Sequence, residues 1–154
     1  MARLTGVAAA LGLVLSLDHV AADAGPVDLR AVERTGKWND ALACPAATCR
    51  ARADIESPAT GLSAEVLLER ARGLPDREPR TELVAEDPAL RQLVFVQRSA
   101  VFGFPDTVWV QAAETAAGPS VIVYSRSTYG SWDIGVNRAR VARWLTLLTM
   151  EDDG

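Results

Sequence analysis

Between Ser120 and Leu148 the apolar period of this chain switches from two to about three and a half, and few architectures accommodate that switch. In Ser120–Ser127 the side chains of Val121, Val123 and Ser125 point one way and those of Ile122, Tyr124 and Arg126 the other, as on a sheet strand. From Ile134 onward Ile134, Asn137, Val141, Trp144, Leu145 and Leu148 recur at three- and four-residue steps. Arg138, Arg140 and Arg143 mostly fall elsewhere on the wheel. A strand therefore runs through a polar turn carrying Gly130 and Gly135 straight into an amphipathic helix, and that helix needs a surface to pack on.

The stretches upstream supply one. Ser63 is a good helix N-cap, Leu62 and Leu67 are spaced for a hydrophobic staple, and Gly73 followed by Pro75 is a stop, which predicts a helix over Ser63–Arg72 with Val66, Leu67 and Arg70 or Ala71 on its apolar stripe. Strands are expected at Arg80–Glu86, Leu90–Arg98 and Asp106–Glu114, the last joined to Ser120–Ser127 by a short hairpin. Links this short make antiparallel neighbours. The expected fold is thus α+β: an antiparallel meander of three to four strands, with an N-terminal and a C-terminal helix packed on it. Phe102-Gly103-Phe104, between two strands, reads as a loop that folds its rings back into the core.

At 154 residues the chain has the size of a single domain, and its 49% hydrophobic and 23% charged residues are those of a globular protein. A net charge of -4 without a basic, aromatic-interleaved stripe argues against nucleic acid as a partner. Residues 1–24 read as a signal peptide: Arg3, an apolar run over Leu4–Leu17, then Ala22-Asp23-Ala24, with cleavage after Ala24. The run is shorter than the ~20 residues that a bilayer span needs, so no stable transmembrane span is expected once the leader is removed. The protein is accordingly expected outside the bacterial cytoplasm, periplasmic or extracellular, and membrane-associated if the leader is retained. Residues 25–62 lack a sustained period and read as an extended arm, residues 63–148 as the α+β domain, and residues 149–154 as an acidic tail. In the arm, Cys44 and Cys49 are the only cysteines, and in an exported protein such a pair reads as a disulfide, its reversal favoured by Pro45.

Ser125-Arg126-Ser127-x-x-Gly130-x-x-Asp133-x-Gly135-x-Asn137-x-x-Arg140, preceded by Phe104-Pro105-Asp106 and by Asn39-Asp40 with Cys44-Pro45 and Cys49, resembles domain of unknown function family 1499. The resemblance spans about Asn39 to Leu148. It implies a small single-domain protein, often with an export signal or membrane segment, and no established activity. Thr48, Arg50 and Ala51 depart from the family's usual cysteine loop, and Thr107 stands where a second aspartate is common.

The polar cluster of Arg126, Ser127, Tyr129, Asp133, Asn137 and Arg140, together with Asp106, admits two readings. In the structural one Asp133 caps the last helix, Asn137 ties the turn to the sheet, and Arg126 or Arg140 pairs with Asp133 or Asp106. In the functional one Arg126, Arg140, Tyr129 and the helix N-terminus form an anion or carboxylate site. The structural reading is preferred, because such networks commonly fix geometry. Catalysis has less support: His19, the only histidine, lies in the expected leader, so the mature chain has no imidazole for a Ser-His or Cys-His system or for a metal site, and neither a cofactor nor its glycine-rich loop is expected. These residues lead to a non-catalytic binding or assembly module of the cell envelope, whose partner is an envelope protein or a small ligand. The alternatives are a carrier holding an apolar or anionic ligand between sheet and last helix, lined by Phe95, Trp109, Tyr124 and Trp144, and a hydrolase using Asp106 or Asp133.

Overall fold

The computed structural model describes residues 24–150, so the expected leader, apart from Ala24, and the tail from residue 151 lie outside the described residues. In chain order the elements are β1 (Asp40–Cys44), β2 (Ile55–Glu56), α1 (Ala64–Arg72), α2 (Leu74–Arg77), β3 (Thr81–Asp87), β4 (Gln92–Arg98), β5 (Pro105–Thr115), β6 (Gly118–Ser127) and α3 (Val136–Thr149). The strands form one six-stranded sheet in the order β2-β1-β6-β5-β4-β3.

The α+β class stands, and β3 to β6 form the expected antiparallel meander. The expectation of three to four strands is corrected. β1 adds to β6 in antiparallel register, Ala41 opposite Ser125, and β2 lies parallel to β1, which makes the sheet mixed. Both extra strands come from the arm. The reason they were invisible is physical: DALAC and the two-residue β2 are too short to establish a period, and the β6 partners of β1 lie 80 to 86 residues away.

Alternation along the strands sends two apolar sets to opposite faces. Leu93 and Phe95, Val108 and Val110, Val121 and Val123 face the helices, where Leu67 and Ala71 of α1 meet Val141, Trp144, Leu145 and Leu148 of α3. Val66 is exposed, so the buried stripe of α1 runs through Ala64, Leu67 and Ala71 instead. Ser63 caps that helix, its hydroxyl accepting the Val66 N–H at 3.3 Å. α3 starts later than the apolar period suggests: Ile134 is exposed, and the helix begins at Val136.

The opposite face is covered by the arm. Leu29 and Val32 lie over Val94, Val96, Trp109, Ile122 and Tyr124, each large side chain contributing about 1.5–3 kcal/mol by leaving water. Two buried glutamines attach the arm to the sheet. The Val27 N–H donates to Gln92 at 2.9 Å and the Leu29 N–H to Gln111 at 2.9 Å, and the Trp109 indole donates to the Gly25 carbonyl at 2.9 Å. Cys44 and Cys49 are bonded across a turn closed from Thr48 to Pro45, with their α-carbons 6.3 Å apart.

Candidate functional site

Four chain segments converge on one end of the sheet: the end of β4 with the start of β5, where Arg98 faces Pro105, and the end of β6 with the start of β1, where Arg126 faces Asp40. Every residue of the sequence cluster lies there, divided between a buried layer and an exposed one.

The buried layer centres on Arg140. Only 4% exposed, its guanidinium donates to Asp106 at 2.7 Å, to Ser125 at 2.9 Å, to Asn137 at 2.8 Å and, through Nε, to Gln97. The reading of Arg140 as lying off the buried stripe is therefore corrected: i+3 from Asn137 it turns inward, because a carboxylate, an amide and a hydroxyl await it. Asn137 is saturated as well. Its amide nitrogen donates to the Asn39 carbonyl at 3.0 Å, to Ser127 at 2.8 Å and to Asp133 at 2.5 Å, while its oxygen accepts from Ser125 and Arg140. Gln97 carries the chain onward, donating to Glu78 at 3.1 Å, and Glu78 takes two bonds from Arg143, each 2.7 Å. Burial pushes the Glu78 carboxyl up, but Arg143 and Gln97 outweigh it and hold it down at about 2. Asp133 lies two residues before Gly135, which is the N-cap of α3, and its carboxylate accepts the Gly135 N–H at 2.8 Å and the Asn137 N–H at 3.0 Å in the first turn. It is Asp106, not Asp133, that takes the guanidinium.

On the arm face a smaller set is closed in the same way. Asp40 accepts from Arg34 at 2.7 Å, from the Thr35 N–H at 3.1 Å and from the Tyr124 hydroxyl at 2.9 Å; burial works against its charge, yet these donors hold the carboxyl below the ordinary range. Burial beside that carboxylate pushes the Tyr124 phenol up. Arg34 also meets Asp54 at 2.8 Å. Arg126 lies over the Trp109 ring, 5.5 Å from its centre, and takes no part in the Arg140 layer.

The exposed layer is apolar. Trp38 is 82% exposed, Ile134 77%, Phe102 74% and Trp132 69%, with Val101, Phe104, Tyr129 and Val136 beside them in the same segments. Among the described residues eleven large apolar side chains are exposed, and these eight all belong to this end. Chance scatter does not produce that distribution. The expected burial of Phe102 and Phe104 is corrected: the rings stack on each other at 5.5 Å, and Phe104 meets Tyr129 at 5.8 Å, outside the core. Backbone pairing fixes the tryptophans, the Trp38 N–H donating to Ser131 at 3.1 Å and the Asp133 N–H to Trp38 at 3.0 Å. Beside them opens a cleft of about 720 Å³, bordered by Arg34, Lys37, Arg52, Arg138, Asp40, Asp54 and Asp133. Asp40 and Asp54 are matched by Arg34, and Asp133 is occupied by N–H groups. Lys37, Arg52 and Arg138 have no carboxylate partner among the described residues.

Sequence reasoning singled out the buried layer and, of the exposed one, only Tyr129. Trp38 and Trp132 each stand alone among polar neighbours, so no period marks them, and only their convergence in space makes a surface. The proposed ligand cavity has no place in this arrangement, because Phe95 and Trp144 pack edge to face on the helix side while Trp109 and Tyr124 stack on the arm side. Among the described residues no helix is long and apolar enough to cross a membrane.

A family model described as "Protein of unknown function (DUF1499)" matches residues 39–148. No curated protein and no solved structure matches the chain.

Proposed function

The chain belongs to the DUF1499 family, whose function is unknown, and on that premise we propose that it is a non-catalytic binding or assembly module of the bacterial cell envelope, working through the exposed end of its sheet. One observation carries the reading. Of the nine aromatic residues, Phe95, Trp109, Tyr124 and Trp144 are buried, and the other five, Trp38, Phe102, Phe104, Tyr129 and Trp132, all stand exposed at that end. Aromatic side chains lose little rotamer entropy when covered and bring large apolar area, which is why they dominate recognition surfaces. Keeping five in water opposes solubility, and a partner would remove that cost.

The polar cluster supports the same reading by what it is engaged in. Asp106 is covered by Arg140, and Asp133 is turned to its own helix, so the pair that a carboxylate hydrolase would use is occupied in holding β5, β6 and α3 together. A photo-crosslinking amino acid in place of Trp132, in the full chain produced in its native envelope, tests the proposal. Adducts are expected from that position and not from Val66, an exposed apolar residue of α1. Equal labelling at both positions would refute it.

A further inference from the structure

We infer that the exposed end docks on the interface of a bilayer containing anionic phospholipid, with Trp38, Trp132, Phe102, Phe104 and Ile134 seated at headgroup depth. The inference rests on the reading of this end as the working surface and names its partner.

Three features select a bilayer over a protein. The first is shape. The apolar residues sit on separate projections: the β4–β5 loop, the segment between β6 and α3, and the turn before β1. Projecting loops suit a soft, laterally extended medium, whereas helix- and peptide-binding surfaces are grooves. The second is composition. Tryptophan and tyrosine, amphipathic rings with one polar edge, are the residues that settle where hydrocarbon meets headgroups. The third is charge. Lys37, Arg52 and Arg138 border the cleft next to Trp38 and Trp132 without carboxylate partners among the described residues, in a chain whose overall charge is -4. Arg98 and Arg80 add to the same end: one donates to the Gly103 carbonyl at 3.2 Å, the other to the Arg98 carbonyl at 3.0 Å, and neither meets an acid among the described residues. Local cations on a net-negative protein orient it toward an anionic surface, and apolar side chains beside them then enter the interface.

Ile134 fits this account. It holds φ at +56°, a backbone state that β-branched residues avoid, and its side chain stands in water. Neither packing nor local geometry favours an isoleucine there. Burial in an interface does.

The test uses the tryptophans as their own probes. Residues 1–24 contain no tryptophan, and Trp109 and Trp144 are buried, so a change in emission on adding vesicles reports Trp38 and Trp132. With the full chain, vesicles of equal parts phosphatidylglycerol and phosphatidylcholine should shift the emission to the blue, and bromine-labelled acyl chains should quench it. Trp38→Phe and Trp132→Phe report each position separately. Lys37→Glu with Arg138→Glu should weaken binding by roughly tenfold or more, and added salt should weaken the native chain. Melting temperatures unchanged by these exposed substitutions would establish that the variants are folded. Absence of quenching, or vesicle binding that ignores the charge reversals and so belongs to the leader, would overturn the inference. If soluble glycerol phosphate produces the same shift at comparable concentration, the cleft is a small-anion site and the bilayer assignment falls. Specific crosslinks from position 132 to an envelope protein, without quenching by lipid, would overturn the bilayer while retaining the binding module; loss of both would remove both.

Discussion

Two layers at one end of the sheet follow opposite rules. Around Arg140 the polar groups are buried and matched: guanidinium to carboxylate, amide to carbonyl, hydroxyl to amide. Around Trp38 and Trp132 the apolar groups are exposed, and three of the four cations bordering the adjoining cleft, Lys37, Arg52 and Arg138, have no carboxylate partner among the described residues. Folding alone accounts for the first layer, since a buried charge requires its partners. It does not account for the second. Tryptophan on a fixed turn contributes nothing to stability while it remains in water, so what retains it is to be sought outside the molecule.

The largest effect should come from cutting the inner layer. Arg140→Met leaves Asp106 buried without its countercharge, and a loss of about 3–5 kcal/mol is expected in urea or thermal unfolding. A loss under about 1 kcal/mol would show that Asp106 does not depend on Arg140, and the carboxylate would return as a candidate for chemistry.

Next comes Glu78, whose carboxyl is held down at about 2 against an ordinary 4.5. Because the folded value is the lower one, its contribution is complete above about 4.5 and disappears as pH falls toward 2. Allowing for solvent screening at half-exposed Arg143, that contribution is roughly 2–3 kcal/mol. Unfolding free energies of the native chain and Glu78→Gln should differ by that amount near neutrality and converge as pH approaches 2. A gap that does not close would mean that Glu78 acts through packing instead.

The disulfide ranks third. Cys44→Ser with Cys49→Ser opens a loop of five residues' separation and should cost about 2 kcal/mol, with the arm's amides the first to lose protection from hydrogen exchange. Uniform loss of protection over the whole sheet would show that the bridge supports the domain rather than the arm.

What was legible in the sequence divides along the same line. Periods of two and three and a half marked β3 to β6, α1 and α3, because each buries a stripe and burial leaves a repeat. The motif from Ser125 to Arg140 named the inner layer, because its members lie close together in sequence as well as in space. β1 escaped notice: four buried residues paired to a strand at the far end of the chain leave no local mark. The cover on the second sheet face was equally hidden, since it depends on Gln92 and Gln111 accepting the backbone N–H groups of Val27 and Leu29. The aromatic end escaped for the opposite reason. Aromatic residues usually go to the core, which is where the sequence alone puts Phe102 and Phe104, whereas the fold leaves five rings outside it.

The smallest effects on stability belong to the outer layer, and their smallness is the point. Trp38→Ala and Trp132→Ala remove side chains that rest mainly in water, so each should alter the unfolding free energy by no more than about 0.5 kcal/mol, their backbone pairing being independent of the rings. Ile134→Gly is sharper. Relief of a left-handed φ favours glycine by about 1–2 kcal/mol, while glycine's greater freedom in the unfolded chain takes back about 0.5–1 kcal/mol, so the variant should be as stable as the native chain or slightly more so. A stabilising or neutral change that also weakens binding would separate the two layers cleanly: the isoleucine would then be retained against the interest of the fold. A clear loss of stability in Ile134→Gly would instead place that side chain among the groups that hold the junction together, and the boundary between the layers would have to be redrawn one residue outward.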